Sequence, residues 1–189
     1  MVYESLIAIA EKYKTAMAEE WFKEIKDSTF LSTYNNLTDP QIFERGKVLF
    51  ENFYLWLQKG ADDNFIQTYF QNVGRERAGE GFPLSEINYA LFLEKKVLWK
   101  FISQKEVDTL LTPADAVEFL AVISSYFDMG EFYILRGYML HLIDNLNSSG
   151  KFTEDEMASL LNGALIKEEN KEISSELHLD ALDLNFLKK

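Results

Sequence analysis

The sequence predicts an all-α protein, either an antiparallel helical bundle or a globin-like stack of five to six helices. Three observations carry this. Apolar residues recur at offsets of three and four along most of the chain, the period of a helix that buries one face. Only three prolines and nine glycines interrupt 189 residues, which leaves long stretches free to be helical. Most connections between periodic segments are short, which favours antiparallel neighbours. No strand-period run of useful length and no internal repeat is present.

The elements follow in order. Residues 3–26 carry Leu6, Ile9, Ala10, Tyr13, Met17, Trp21 and Ile25 at helical spacing. Residues 27–37 are polar and turn-rich. Thr38, Asp39 and Pro40 supply a cap and a first-turn proline, with Gln41 three after Thr38, so a second helix starts sharply there. It runs through Phe43, Val48, Leu49, Phe53, Leu55 and Trp56 and stops at Gly60. Asp62 or Asp63 caps a third, with Phe65, Ile66, Tyr69, Phe70 and Val73 on one side, fading in the segment GRERAGEGFP. Pro83 and Ser85 open a fourth, which carries Ile87, Ala90, Leu91, Val97, Leu98 and Ile102. A fifth pattern starts at Thr112-Pro113 and continues to Leu146. Gly130 lies inside it, so one long helix and two shorter ones are both open. Residues 147–150 (Asn-Ser-Ser-Gly) are a stop, and Thr153 with Glu156 forms a capping box for a short helix to Leu165. Residues 1–166 read as a single sensor-like domain and residues 167–189 as an acidic tail, mobile or docking.

The composition narrows the function. Hydrophobic residues make up 47% and charged residues 26%, an ordinary globular balance. The net charge of −12 and the scatter of basic residues among acids argue against nucleic acid and against an anionic membrane surface as partners. The absence of cysteine removes disulfides, thiolate metal sites and thiol nucleophiles together. The N-terminus reads as a helix start rather than a leader, and no apolar run reaches the length of a membrane span. A cytoplasmic location is the expectation.

No catalytic machinery is visible, and a non-enzyme is expected. The only histidines, His141 and His178, lie apart in sequence and suggest no triad. No Glu-x-x-His motif suggests a di-iron centre in a bundle. Asn145, Asn147, Ser149 and Glu156, with Gly150 between, fall on the ligand positions of an EF-hand loop, but Glu156 is the only carboxylate among them; an ordinary turn followed by a capping box accounts for them as well. Gly74, Gly79 and Gly81 match neither a P-loop nor a dinucleotide fingerprint. Around them, Arg75, Arg77 and Glu80 gather at a helix junction. They are either solvated charges or the residues that bind an anion or lock an interhelical contact. The aromatic fraction of 14% is first a core, and any surplus makes a pocket or a dimer face.

From Tyr69 to Ile102, the helix ending in V-G-R-x-R-A, the G-F-P-L turn, the helix leading to V-L-W and the long helix after it resemble the N-terminal domains of RsbR-type co-antagonists of bacterial stressosomes. That resemblance implies a dimeric, non-haem, globin-like sensor domain. In the haem-binding globin sensors an isoleucine–glycine pair precedes the proximal histidine and a glycine follows it by four. Val73-Gly74 and Gly81 take the flanking positions here, which puts Arg77 where the haem ligand would stand. A guanidinium is always charged and cannot serve as an axial ligand, so no cofactor is expected. The usual output domain of such co-antagonists does not follow residue 148, so the expectation is a stand-alone sensor that acts as a homodimer through a separate signalling protein, its helix packing changed by a partner or by a ligand, for which a small molecule is one candidate. The rival readings are a carrier of an apolar molecule in an aromatic pocket and a calcium-responsive adaptor.

Overall fold

The computed structural model describes residues 2–105, 113–153, 155, 156 and 159. Five long helices account for nearly all of them: α1 (Val2–Asp27), α2 (Asp39–Gln58), α3 (Asp63–Gly79), α4 (Leu84–Lys105) and α5 (Pro113–Ser149), with a single 3-10 turn at Tyr34–Asn36. No strand occurs among the described residues. The all-α expectation holds, and the arrangement is that of a globin-like bundle. The short helix expected up to Leu165 lies outside the described residues apart from Asp155, Glu156 and Ser159, and residues 167–189 lie wholly outside them.

The helices form where the pattern places them. On α1 the residues Leu6, Ile9, Ala10, Met17, Trp21 and Ile25 are all buried, one continuous face at helical period. The start of α2 is the expected capping box, in which the Thr38 amide donates to Gln41 Oε1 at 2.9 Å. Asp62 caps α3 by accepting from the Asn64 amide at 3.1 Å. The segment read as a polar connection, residues 27–37, contributes more than turns: Leu31 and Tyr34 are buried. It is held to α4 by the carboxylate of Glu86, which accepts from the Thr33 amide at 2.9 Å, from Thr33 Oγ1 at 3.1 Å and from Ser32 Oγ at 3.0 Å. This is why a carboxylate can sit in the wall of the core: its lone pairs are occupied.

α5 runs unbroken for 37 residues, which decides between the two alternatives in favour of one helix. Gly130 does not interrupt it. A side chain there would meet the Phe70 ring at 2.8 Å, so the glycine makes room for an aromatic of α3. Two further glycines bring the same pair of helices closer still. A Cβ on Gly74 would lie 2.2 Å from the Ile134 carbonyl oxygen, and one on Gly137 would lie 2.0 Å from the Gln71 carbonyl oxygen. α3 and α5 therefore cross backbone to backbone. Beside the crossing lies an aromatic cluster in which Tyr126 meets Trp56 at 4.9 Å, Phe53 at 5.0 Å and Phe70 at 5.1 Å between ring centres.

Gly137→Ala should separate α3 from α5. Alanine gains helix propensity of about 1 kcal/mol, but the overlap with a rigid carbonyl forces a backbone shift costing roughly 1–3 kcal/mol or more. The expected result is a net fall in melting temperature of several degrees by circular dichroism. An unchanged or raised melting temperature would show that the crossing tolerates a side chain.

Candidate functional site

A cavity of about 510 Å³ opens between α2, α3 and α4, with α1 and α5 closing its inner wall. Two helices turn a regular face towards it. On α2 Gln41, Glu44, Arg45 and Val48 line it, followed by Leu49; on α3 Tyr69, Asn72, Val73 and Glu76 do, followed by Arg77. Both sets have the offsets 0, 3, 4 and 7 of one helical face. Trp21, Leu49, Leu91 and Ile134 supply apolar wall. Trp21 is fixed in place because its indole N–H donates to the Ala90 carbonyl at 3.0 Å. Val48, expected in the core stripe of α2, is instead 44% exposed; it faces this cavity.

One end of the cavity is charged. Arg45 Nη2 donates to both oxygens of Glu80, at 2.9 and 2.8 Å, and Arg77 Nη1 reaches the same carboxylate at 3.1 Å. Glu80 thus joins α2 to the end of α3. The clasp is braced from below. The Arg45 guanidinium lies over the Phe82 ring at 5.0 Å, Phe82 packs edge-on against Tyr34 at 4.9 Å, and the Tyr138 hydroxyl donates to the Phe82 carbonyl at 3.0 Å. Burial raises the Tyr34 phenol above its usual pKa, while Arg77 and Arg45 oppose that rise. The side chains of Arg45 and Arg77 are only 16% and 14% exposed, whereas that of Glu80 is 42% exposed.

The sequence reading singled out Arg75, Arg77 and Glu80. The structure brings two of them together. Arg77 and Glu80 share the clasp, and Arg77, the position that the resemblance aligned with a haem ligand, stands in the cavity wall. Arg75 points elsewhere and pairs with Asp144 of α5 at 2.7 Å on the surface. Arg45 was missed. Its signal was present as the only arginine of α2, but nothing local marks it, because its partner lies 35 residues away. Asn145, Asn147 and Ser149, the candidate calcium ligands, lie in the last turns of α5 rather than in a loop. Asn145 Nδ2 is 2.9 Å from His141 Nε2, Ser149 Oγ donates to the Leu146 carbonyl at 2.7 Å, and Glu156 accepts from the amide and hydroxyl of Thr153 at 2.8 and 2.9 Å. Among the described residues no group of three His, Asp or Glu could hold a metal ion, and His178 lies outside them.

A second buried group also escaped the sequence reading. Glu94 of α4 is fully buried, and neither carboxyl oxygen has a hydrogen-bond partner. The pattern hinted at it, since Glu94 follows Ile87, Ala90 and Leu91 on the apolar face of α4. Loss of hydration pushes its pKa from the usual 4.5 up to about 8. It faces two phenols, Tyr69 and Tyr126, whose own pKa values rise well above the usual range through burial and through Glu94.

Five helices with a cavity among them that carries charged residues define the class, an all-helical domain. A family model described as the RsbT co-antagonist protein rsbRD N-terminal domain matches residues 15–141, about two thirds of the chain. The chain belongs to that family. Neither curated proteins nor solved structures gave a match.

Glu94 makes stability depend on pH. Below 4.5 both folded and unfolded chains hold its proton. Between 4.5 and about 8 the unfolded chain has lost the proton while the folded chain keeps it, so stability falls as pH rises through that window. Glu94→Gln removes the titration. Its melting temperature should match the wild type near pH 4.5 and exceed it by several degrees at pH 8. A constant difference across the window would show that Glu94 keeps an ordinary pKa.

Proposed function

We propose that the chain is a non-enzymatic sensory and regulatory domain of a bacterial, cytoplasmic signalling system, acting through a change in helix packing that a separate protein reads. The family's description as an RsbT co-antagonist supports a protein partner. No described helix is long and apolar enough to cross a membrane. The observation that carries the reading is the clasp at the cavity rim. Arg45 of α2 and Arg77 of α3 meet on one half-exposed carboxylate, so whatever enters the cavity competes with the contact that holds α2 to the α3–α4 turn. Hydrogen exchange tests this. Glu80→Ala should raise exchange in the first turns of α2 and in residues 80–83, and the increase should extend into α5 through Tyr138. An increase confined to residues touching Glu80 would leave the sensor without a means of output.

The same reading includes a homodimer. Phe132, Leu135, Met139, Leu142 and Leu146 recur at alternating offsets of three and four on α5, the spacing of a coiled-coil seam. Leu135 and Leu142 are 43% and 39% exposed. Leu135→Glu with Leu142→Glu should convert a dimer to a monomer of unchanged helicity, measured by size-exclusion chromatography with light scattering. A dimer that survives both changes would place the interface elsewhere.

A carrier of an apolar small molecule is the second reading, favoured by the cavity's volume and apolar inner wall. A carrier would load without any change in exchange at the clasp or along α5.

A further inference from the structure

We propose that the cavity binds a small organic monoanion, a carboxylate on an apolar body, with its head at Arg45 and Arg77. The ligand's consequence for packing rests on the sensory reading; its binding does not.

The charges decide the sign of the head. Arg45 and Arg77 meet on the Glu80 carboxylate, and Arg77 also lies 3.9 Å from the carboxylate of Glu76. Glu44 and Glu76 also border the cavity, but their side chains are 62% and 66% exposed. Solvent screens those two far more than it screens the two arginines, whose side chains are 16% and 14% exposed. The interior therefore favours an anion. Arg45 also has a donor to spare. Its Nη2 serves Glu80, while its Nη1 is buried with no partner, an arrangement that costs free energy until an acceptor arrives.

The remaining wall decides the body. Trp21, Leu49, Val73, Leu91 and Ile134 line the cavity together with the arginines. An inorganic ion would leave this wall and most of the 510 Å³ filled with water. An uncharged apolar molecule would leave the spare guanidinium donor unmet. A carboxylate with an aliphatic body satisfies both ends. Glu80, being half exposed, can turn to water when the ligand's head takes its place.

Isothermal titration calorimetry with octanoate tests the site, with octanol and acetate as comparison probes. Octanoate should bind with one-to-one stoichiometry, at least tenfold more tightly than either. Arg45→Gln should weaken octanoate at least tenfold and octanol little. Val73→Phe, which fills the cavity and leaves the charges in place, should abolish binding of both. Arg75→Gln, outside the cavity, should change nothing. Circular dichroism confirms that each variant is folded, and Arg45→Lys, which keeps the charge, should recover part of the affinity should Arg45→Gln fold poorly. Equal affinity for octanoate and octanol, no octanoate binding, or undiminished binding to Val73→Phe would each overturn the proposal. Hydrogen exchange with octanoate bound separates it from the sensory reading: saturable binding without altered exchange in α2 and residues 80–83 upholds the site and counts against sensing.

Discussion

The structure depends on how closely α3 approaches α5. Backbone meets backbone at Gly74 and Gly137, with no room for a methyl group at either position. A contact this close fixes the axial position of one helix against the other, because a shift by one residue would drive a side chain into a carbonyl. From that fixed pair the rest follows. The face of α3 that carries Tyr69, Val73 and Arg77 is turned towards α2 and α4, and Ile134 of α5 becomes the floor of the cavity. Gly130 adds the pocket into which Phe70 fits, and Phe70 anchors the aromatic cluster around Tyr126.

Much of this was legible in the sequence. The helical period placed all five helices, and local chemistry placed their ends where capping residues occur, as at Thr38 and Asp62. The sequence was silent where the deciding contact is distant. Gly130 left one long helix and two shorter ones open because a glycine weakens an isolated helix; the reason for it, the Phe70 ring, lies sixty residues earlier in the chain. The polar segment 27–37 read as a plain connection because its tie, Glu86, is more than fifty residues away. The charged junction was visible at Arg77 and Glu80, whose spacing of three is local. Its other half, Arg45, was not, and Arg75 looked equivalent to Arg77 until the helix turned it towards Asp144. Adjacent positions in a helix point about 100° apart, and two residues along they point to different neighbours.

Two kinds of ionisable group occupy the interior, and they differ in how they are compensated. Glu86 lies in the core wall with its oxygens bonded to Ser32 and Thr33. Glu94 has no such partners, and it holds its proton instead. The guanidiniums of Arg45 and Arg77 cannot give up their charge, so the protein provides Glu80 at the surface and a ring beneath one of them. A carboxyl can answer burial by neutralising itself, but an arginine can only be answered by another group.

The length of α5 has a mechanical consequence. A helix of 37 residues spans roughly 55 Å. From the Gly137 crossing to its end at Ser149, roughly 18 Å of it extends beyond the point where α3 grips it most tightly. A tilt of only about 5° at that crossing would carry the far end through roughly 1.5 Å. If the domain signals as proposed above, the glycine pair is the fulcrum and the distal turns are the lever arm by which a small rearrangement at the cavity would reach a partner.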